Sequence, residues 1–168
     1  MNLAYRTTSH LILLIPSLIL HFMPNKFHRF VFVLFDGFSN MVLASTLEPL
    51  RAANGLPNGP TIKWEICTID GAPVTSSSGL TITPQASLPD TVTKADIDYL
   101  VVVSGYAMRD HTTPKIRARL QNAAHHARNI IGLDTAAWLL GCCHMLSGKT
   151  ATIHWQELDQ FQEQFPDI

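Results

Sequence analysis

Three short runs rich in apolar residues, each ending at a tight turn, constrain this chain more than any other feature. They are Phe30-Val31-Phe32-Val33-Leu34-Phe35 before Asp36-Gly37, Tyr99-Leu100-Val101-Val102-Val103 before Ser104-Gly105, and Asn129-Ile130-Ile131-Gly132-Leu133 before Asp134-Thr135. A strand open to water on one face alternates apolar with polar residues. The first two runs, which lack alternation, are what parallel strands buried on both faces look like, and the third is a short strand. Between the runs lie stretches with helical spacing. Past Ser39 and Asn40, either of which can cap, Met41, Leu43, Ala44, Leu47, Leu50 and Ala53 recur as far as Asn54-Gly55. Residues 114–128 form an amphipathic helix with Ile116, Leu120, Ala123 and Ala124 inward, and residues 136–146 an apolar helix closed by Ser147-Gly148. Residues 62–69 alternate and predict a further strand, 74–83 a hairpin or edge excursion, and 150–153 a strand or its start, with helix from His154 to Phe165. Strands alternating with helices require crossovers, so the pattern implies one α/β domain: a mostly parallel sheet with helices on both faces.

Composition narrows the function. Of 168 residues 46% are hydrophobic and 15% charged, which excludes disorder. Lys+Arg of 12 against Asp+Glu of 13 leaves no basic stripe to neutralise phosphates, so direct nucleic-acid binding by this chain is not expected. Three cysteines, two adjacent, make no disulfide framework and fit a reducing compartment, hence the cytoplasm. Residues 11–23 read LILLIPSLILHFM, with ten apolar residues of thirteen. That is too short for a membrane span, and Pro16 interrupts it, so stable insertion is not expected. The segment reads as a dispensable leader with translation starting at Met23, as a signal or membrane-associated segment, or as a packed extension. Residues 1–28 are accordingly set apart from a domain at 29–168.

Ligands of open α/β sheets bind beyond the carboxyl ends of the strands. Three such ends are readable: Asp36-Gly37-Phe38-Ser39, Ser104-Gly105-Tyr106 and Leu133-Asp134-Thr135-Ala136. The last is a strand-to-helix turn flanked by small residues, the setting of a nucleophile elbow. Aspartate tolerates unusual backbone angles but is a poor nucleophile, and no metal-ligand spacing surrounds it. From the residues alone Asp134 is either a helix cap or a ligand contact.

The run FVLFDGFSNMVLASTLEPLRAAN, the strand YLVVVSG and the segment IIGLDTAAWLLGCCHMLSGKTATIHWQELDQFQEQFPDI resemble the ThiJ/PfpI-like domain, in the form found at the N-terminus of AraC-type transcriptional regulators. The resemblance covers residues 30–168. It implies a flavodoxin-like, class I glutamine amidotransferase-like three-layer sandwich. "EPLRAAN" is similar to the branch of these regulators that controls use of arginine, betaines and carnitine. Carried over, Asp134 stands where the family's enzymes place their nucleophilic cysteine and Ala136 where the regulators have glycine. Thr135 stands where many of the enzymes have histidine, and Ser39 where they carry the acidic partner of the cysteine. With thiol and partner both absent, the family's hydrolytic chemistry is not expected.

The resemblance therefore implies a non-catalytic sensor of a small amine or amino-acid-like effector, homodimeric when intact, with no cofactor or metal. Its expected ligand-binding residues are Asp134, Thr135, Ser39, Phe38, Gly105, Tyr106, His154 and Trp155, with aromatic faces such as Phe38 or Trp155 beside the carboxylate. The alternatives are a small hydrolase or hydratase with a non-standard elbow residue, and a non-functional gene remnant. Regulators of this type continue into one more strand and helix and a pair of helix-turn-helix motifs. The chain stops at Ile168, so a truncated regulator is expected, with a stand-alone sensor as the other possibility. Cys67, Cys142, Cys143 and Trp138 read as core, His28 and His111 as connections, and Glu48 as a solvent-facing or interface residue.

Overall fold

A computed structural model describes residues 27–168. The readings of residues 11–23 and of the start at Met23 fall outside the described residues. The main sheet has five strands, β1 (Phe27–Leu34), β2 (Thr61–Thr68), β5 (Ala86–Ser87), β6 (Ile97–Val103) and β7 (Ala127–Leu133), in the order β5-β2-β1-β6-β7. Every pairing in it is parallel. Two-residue strands β3 (Val74–Thr75) and β4 (Thr81–Ile82) make a small antiparallel hairpin where the Ser/Thr-rich stretch predicts one. The helices are α1 (Asn40–Asn54), α2 (Leu88–Val92), α3 (Pro114–His125), α4 (Ala136–Cys142) and α5 (Leu158–Gln164), with 3-10 turns at Met108–His111 and Trp155–Glu157.

The runs of β1 and β6 behave as a doubly covered sheet requires, whereas the third run, in β7, lies at the sheet edge with Asn129 and Ile130 exposed and only Leu133 buried. Phe30, Phe32 and Leu34 point to one face and pack with Leu43, Leu50 and Ala53 of α1. Val31, Val33 and Phe35 point to the other and meet Leu88 and Val92 of α2, Leu120 and Ala123 of α3, and Leu139 of α4. Successive residues of one strand thus feed two cores. A third cluster of Met108, Trp138, Ile153 and Phe161 seats α5 against α4. The chain leaves β1 over the α1 face toward β2 and leaves β6 over the α3 face toward β7. The crevice between the carboxyl ends of β1 and β6 is therefore the switch point of the sheet.

Several expectations need correction. Phe27 and His28 lie in β1, two residues before the expected domain start, and His28 is buried in the sheet rather than in a connection. Met41 is exposed, because the inward face of α1 is carried by Leu43, Leu50 and Ala53. The 114–128 helix stops at His125, and Arg128 reaches Asp98 of β6 instead. The 136–146 helix stops at Cys142, where His144 turns left-handed at φ 57° and Met145 N donates back to Leu140 O. Residues 150–153 form no strand, since Ile153 is drawn into the third cluster instead of a ladder. Helix α2, with five residues, is too short to carry a helical period. Its signal was local: Ser87 caps it by accepting from Asp90 N, with proline in the first turn. Among the described residues no helix is long and apolar enough to cross a membrane.

Candidate functional site

β7 ends at Leu133, and the next residue, Asp134, takes a left-handed φ of 59° before α4 begins at Ala136. A non-glycine residue is rarely found there, and aspartate is one of the few that tolerate it. The helix-cap reading of Asp134 falls away, because Thr135 occupies that position. The Asp134 side chain is half-buried. Burial pushes its carboxyl above the usual aspartate range, and the nearby His154 pulls it back down.

Thr135 is buried, and its hydroxyl donates to Gly105 O at 2.7 Å. Gly105 in turn bridges to Phe38, and Tyr106 N donates to Gly37 O at 3.2 Å. The three strand ends singled out from the sequence are thus tied into one layer. Gly105 is needed for that approach, since a Cβ there would lie 2.2 Å from Gly37 O. His154 accepts from Gln156 N through Nδ1 and so starts the 3-10 turn, with the Trp155 ring 5.8 Å from its own.

Of the expected ligand-binding residues, Asp134 and His154 interact, Trp155 stands beside His154, and Tyr106 adjoins Gly105. Trp155 and Tyr106 are 75% and 72% exposed, so their faces are open to a ligand. Phe38 is not, at 0% exposed: it is core beneath the turn. The hydroxyls of Ser39 and Thr135 are already engaged, one capping α1 by accepting from Val42 N and the other holding Gly105.

Two further groups support the site: the hairpin, whose position over the turn the sequence did not indicate, and Arg109, which had no sequence signal of its own. The β3–β4 hairpin is pinned over the β1–α1 turn by Gly37 N to Thr75 O, Ser77 N to Phe38 O and Asn40 Nδ2 to Ser76 Oγ, at 2.8 to 2.9 Å. Arg109 joins the turn after β6 to the turn after His154. It donates to Glu157 at 2.7 Å and Gln160 at 2.5 Å while its guanidinium lies 4.2 Å over the Trp138 ring. These partners are separated by 36 residues or more, except for Trp138 at 29, and only the fold brings them together.

No thiol stands at the elbow. Burial pushes Cys67 up to about 12 and Cys143 up to about 11, and raises Cys142 as well, so all three resist forming the thiolate a nucleophile requires. Cys67, Cys143 and Trp138 are core, while Glu48 is exposed and pairs with Arg51. Among the described residues no group of three or more histidine, cysteine, aspartate or glutamate side chains is placed to hold a metal.

The sequence pattern of the DJ-1/PfpI family matches residues 28–167. The chain belongs to this family. As a DJ-1/PfpI domain it is 33% identical over 139 residues to the HTH-type transcriptional regulator CdhR of Pseudomonas aeruginosa, covering 83% of this chain and 40% of that protein. To the HTH-type transcriptional regulator GbdR of the same species it is 34% identical over 137 residues, covering 82% and 36%. Among solved structures, an AraC family transcriptional regulator from Pseudomonas putida superposes with a TM-score of 0.67 at 27% identity, covering 83% of this chain and 74% of that one. The DJ-1/PfpI domain therefore spans 40% or less of the length of these two curated relatives.

Proposed function

We propose that this DJ-1/PfpI domain is the non-catalytic effector-sensing domain of an AraC-type transcriptional regulator, and that Asp134 holds a small amine or amino-acid-like effector. The observation that carries the reading is the elbow itself: a half-buried carboxylate at a left-handed φ of 59°, where the resemblance places a cysteine in the enzymes. A carboxylate there supplies no thiolate chemistry, but it can pair with an ammonium group. Trp155, beside His154, and Tyr106, beside Gly105, present exposed aromatic faces that can serve as cation–π partners. The HTH-type regulators among the relatives favour sensing over turnover. In this reading the domain works as a homodimer in the cytoplasm and needs no cofactor. Contact with DNA is assigned to a helix-turn-helix part outside these 168 residues.

The test is calorimetric titration with ethylammonium and tetramethylammonium as probes. Asp134→Asn keeps the tolerance for the left-handed angle and removes the charge. It should weaken binding by about tenfold, the loss of one charge-assisted contact. Unchanged affinity would remove Asp134 from the site.

A further inference from the structure

A second cleft, of about 260 Å³, opens on the other side of β1 from the elbow, beyond the carboxyl ends of β1 and β2 and against the start of α3. Acidic and basic side chains both line it: Asp36 after β1 and Asp70 after β2, with Lys115 and Arg119 from the first turns of α3. Phe35 and Ile116 give it an apolar floor. Each carboxylate has one oxygen fixed by backbone, Asp36 Oδ1 accepting from Thr75 N at 2.8 Å and Asp70 Oδ1 from Ala72 N at 3.1 Å. Arg119 is held in place by donating to Ile69 O at 2.6 Å. Yet among the described residues none of these four charges forms a salt bridge with another. Opposite charges held apart around one small cavity are satisfied together by a ligand that carries both charges. The volume lies below the roughly 300 Å³ at which drug-sized pockets begin, which limits the ligand to a small molecule.

We propose that this cleft binds a small zwitterion of the amino-acid class, its carboxylate toward Lys115 and Arg119 and its ammonium toward Asp36 and Asp70. The proposal stands apart from the elbow reading, and the two are separated by where binding is seen. The experiment is amide NMR on the 15N-labelled full chain. The probes are L-alanine and β-alanine, with acetate and ethylammonium as carriers of a single charge.

The zwitterions should move the resonances of residues 35–36, 69–70 and 115–119 in a saturable way. Lys115→Ala and Asp70→Asn should each weaken that binding by about tenfold. Both side chains are exposed, so the rest of the spectrum should keep its native pattern. Acetate binding as tightly as the amino acids would make the cleft a plain anion site and overturn the proposal. So would shifts confined to residues 105–106 and 134–135, or the absence of any saturable shift at about 10 mM probe.

Discussion

Gly105→Ala should cost about 3 kcal/mol or more and lower the melting temperature by about 10 °C. The added Cβ would lie 2.2 Å from Gly37 O, 3.1 Å from Gly37 C and 3.2 Å from the Phe38 Cα. All three neighbours are backbone, so no side chain can rotate aside. Relief requires the turns after β1 and β6 to separate. That breaks the Phe38–Gly105 bridge and the bond from Tyr106 N to Gly37 O, and it disturbs the carbonyl that Thr135 holds. Gly55→Ala is the matched control. Its Cβ would come no closer than 3.4 Å to Ala52 O and its backbone is right-handed, so the effect should stay within about 0.5 kcal/mol. Thermal unfolding followed by circular dichroism reads both. A fall below about 2 °C for Gly105→Ala would show that the two turns are not in the contact described here.

At the opposite end of the sheet, Arg29→Met should cost about 3 kcal/mol and change the acid sensitivity of the fold. Arg29 and Glu65 pair across β1 and β2 with side chains only 11% and 17% exposed. The guanidinium also donates to Ala95 O at 2.5 Å and Thr91 O at 3.0 Å, which ties α2 and the β6 approach to the sheet. Methionine fills much of the space and satisfies none of these acceptors, while Lys94 remains as the second partner of Glu65.

Burial by itself would raise the Glu65 carboxyl. Hydrogen bonds and charge from Lys94 and Arg29 outweigh it and hold the group below the usual glutamate range. A carboxyl lowered in the folded state contributes stability above its unfolded value, and that contribution is lost as pH falls through the folded value. In Arg29→Met the folded value rises toward the unfolded one, so Glu65 has less stability to lose in acid, and stability should fall less steeply with falling pH than in the natural chain. Denaturant unfolding between about pH 7 and about pH 3 checks this. Parallel curves for the two proteins would contradict the assigned role of Arg29.

The central sheet was readable in advance because strands buried on both faces leave a mark that survives without tertiary information. Phe30–Phe35 and Tyr99–Val103 have almost no polar interruption and could not sit at a wet surface. The elbow was readable for a similar reason: a strand meeting a helix of small residues through Leu-Asp-Thr-Ala leaves the chain little room for anything but a sharp turn.

What the sequence withheld is what distance in space decides. Phe38 and Trp155 are both aromatic residues beside strand ends, and nothing local says that one is buried at 0% and the other open at 75%. The Arg109 clamp and the serines of the hairpin depend on partners far along the chain. Residues 150–153 have β-forming composition, but Ile153 gains more by packing on Met108 and Trp138 than by joining an edge.

The most direct test of the account is the ionisation of Asp134, followed by carbon-13 NMR of its carboxyl across a pH titration of the full chain. In the free protein, burial should place it above the ordinary aspartate range. Saturating ethylammonium should then bring it down, because a bound cation favours the charged form. An ordinary value in the free protein that the cation leaves unmoved would contradict a sensing carboxylate at the elbow.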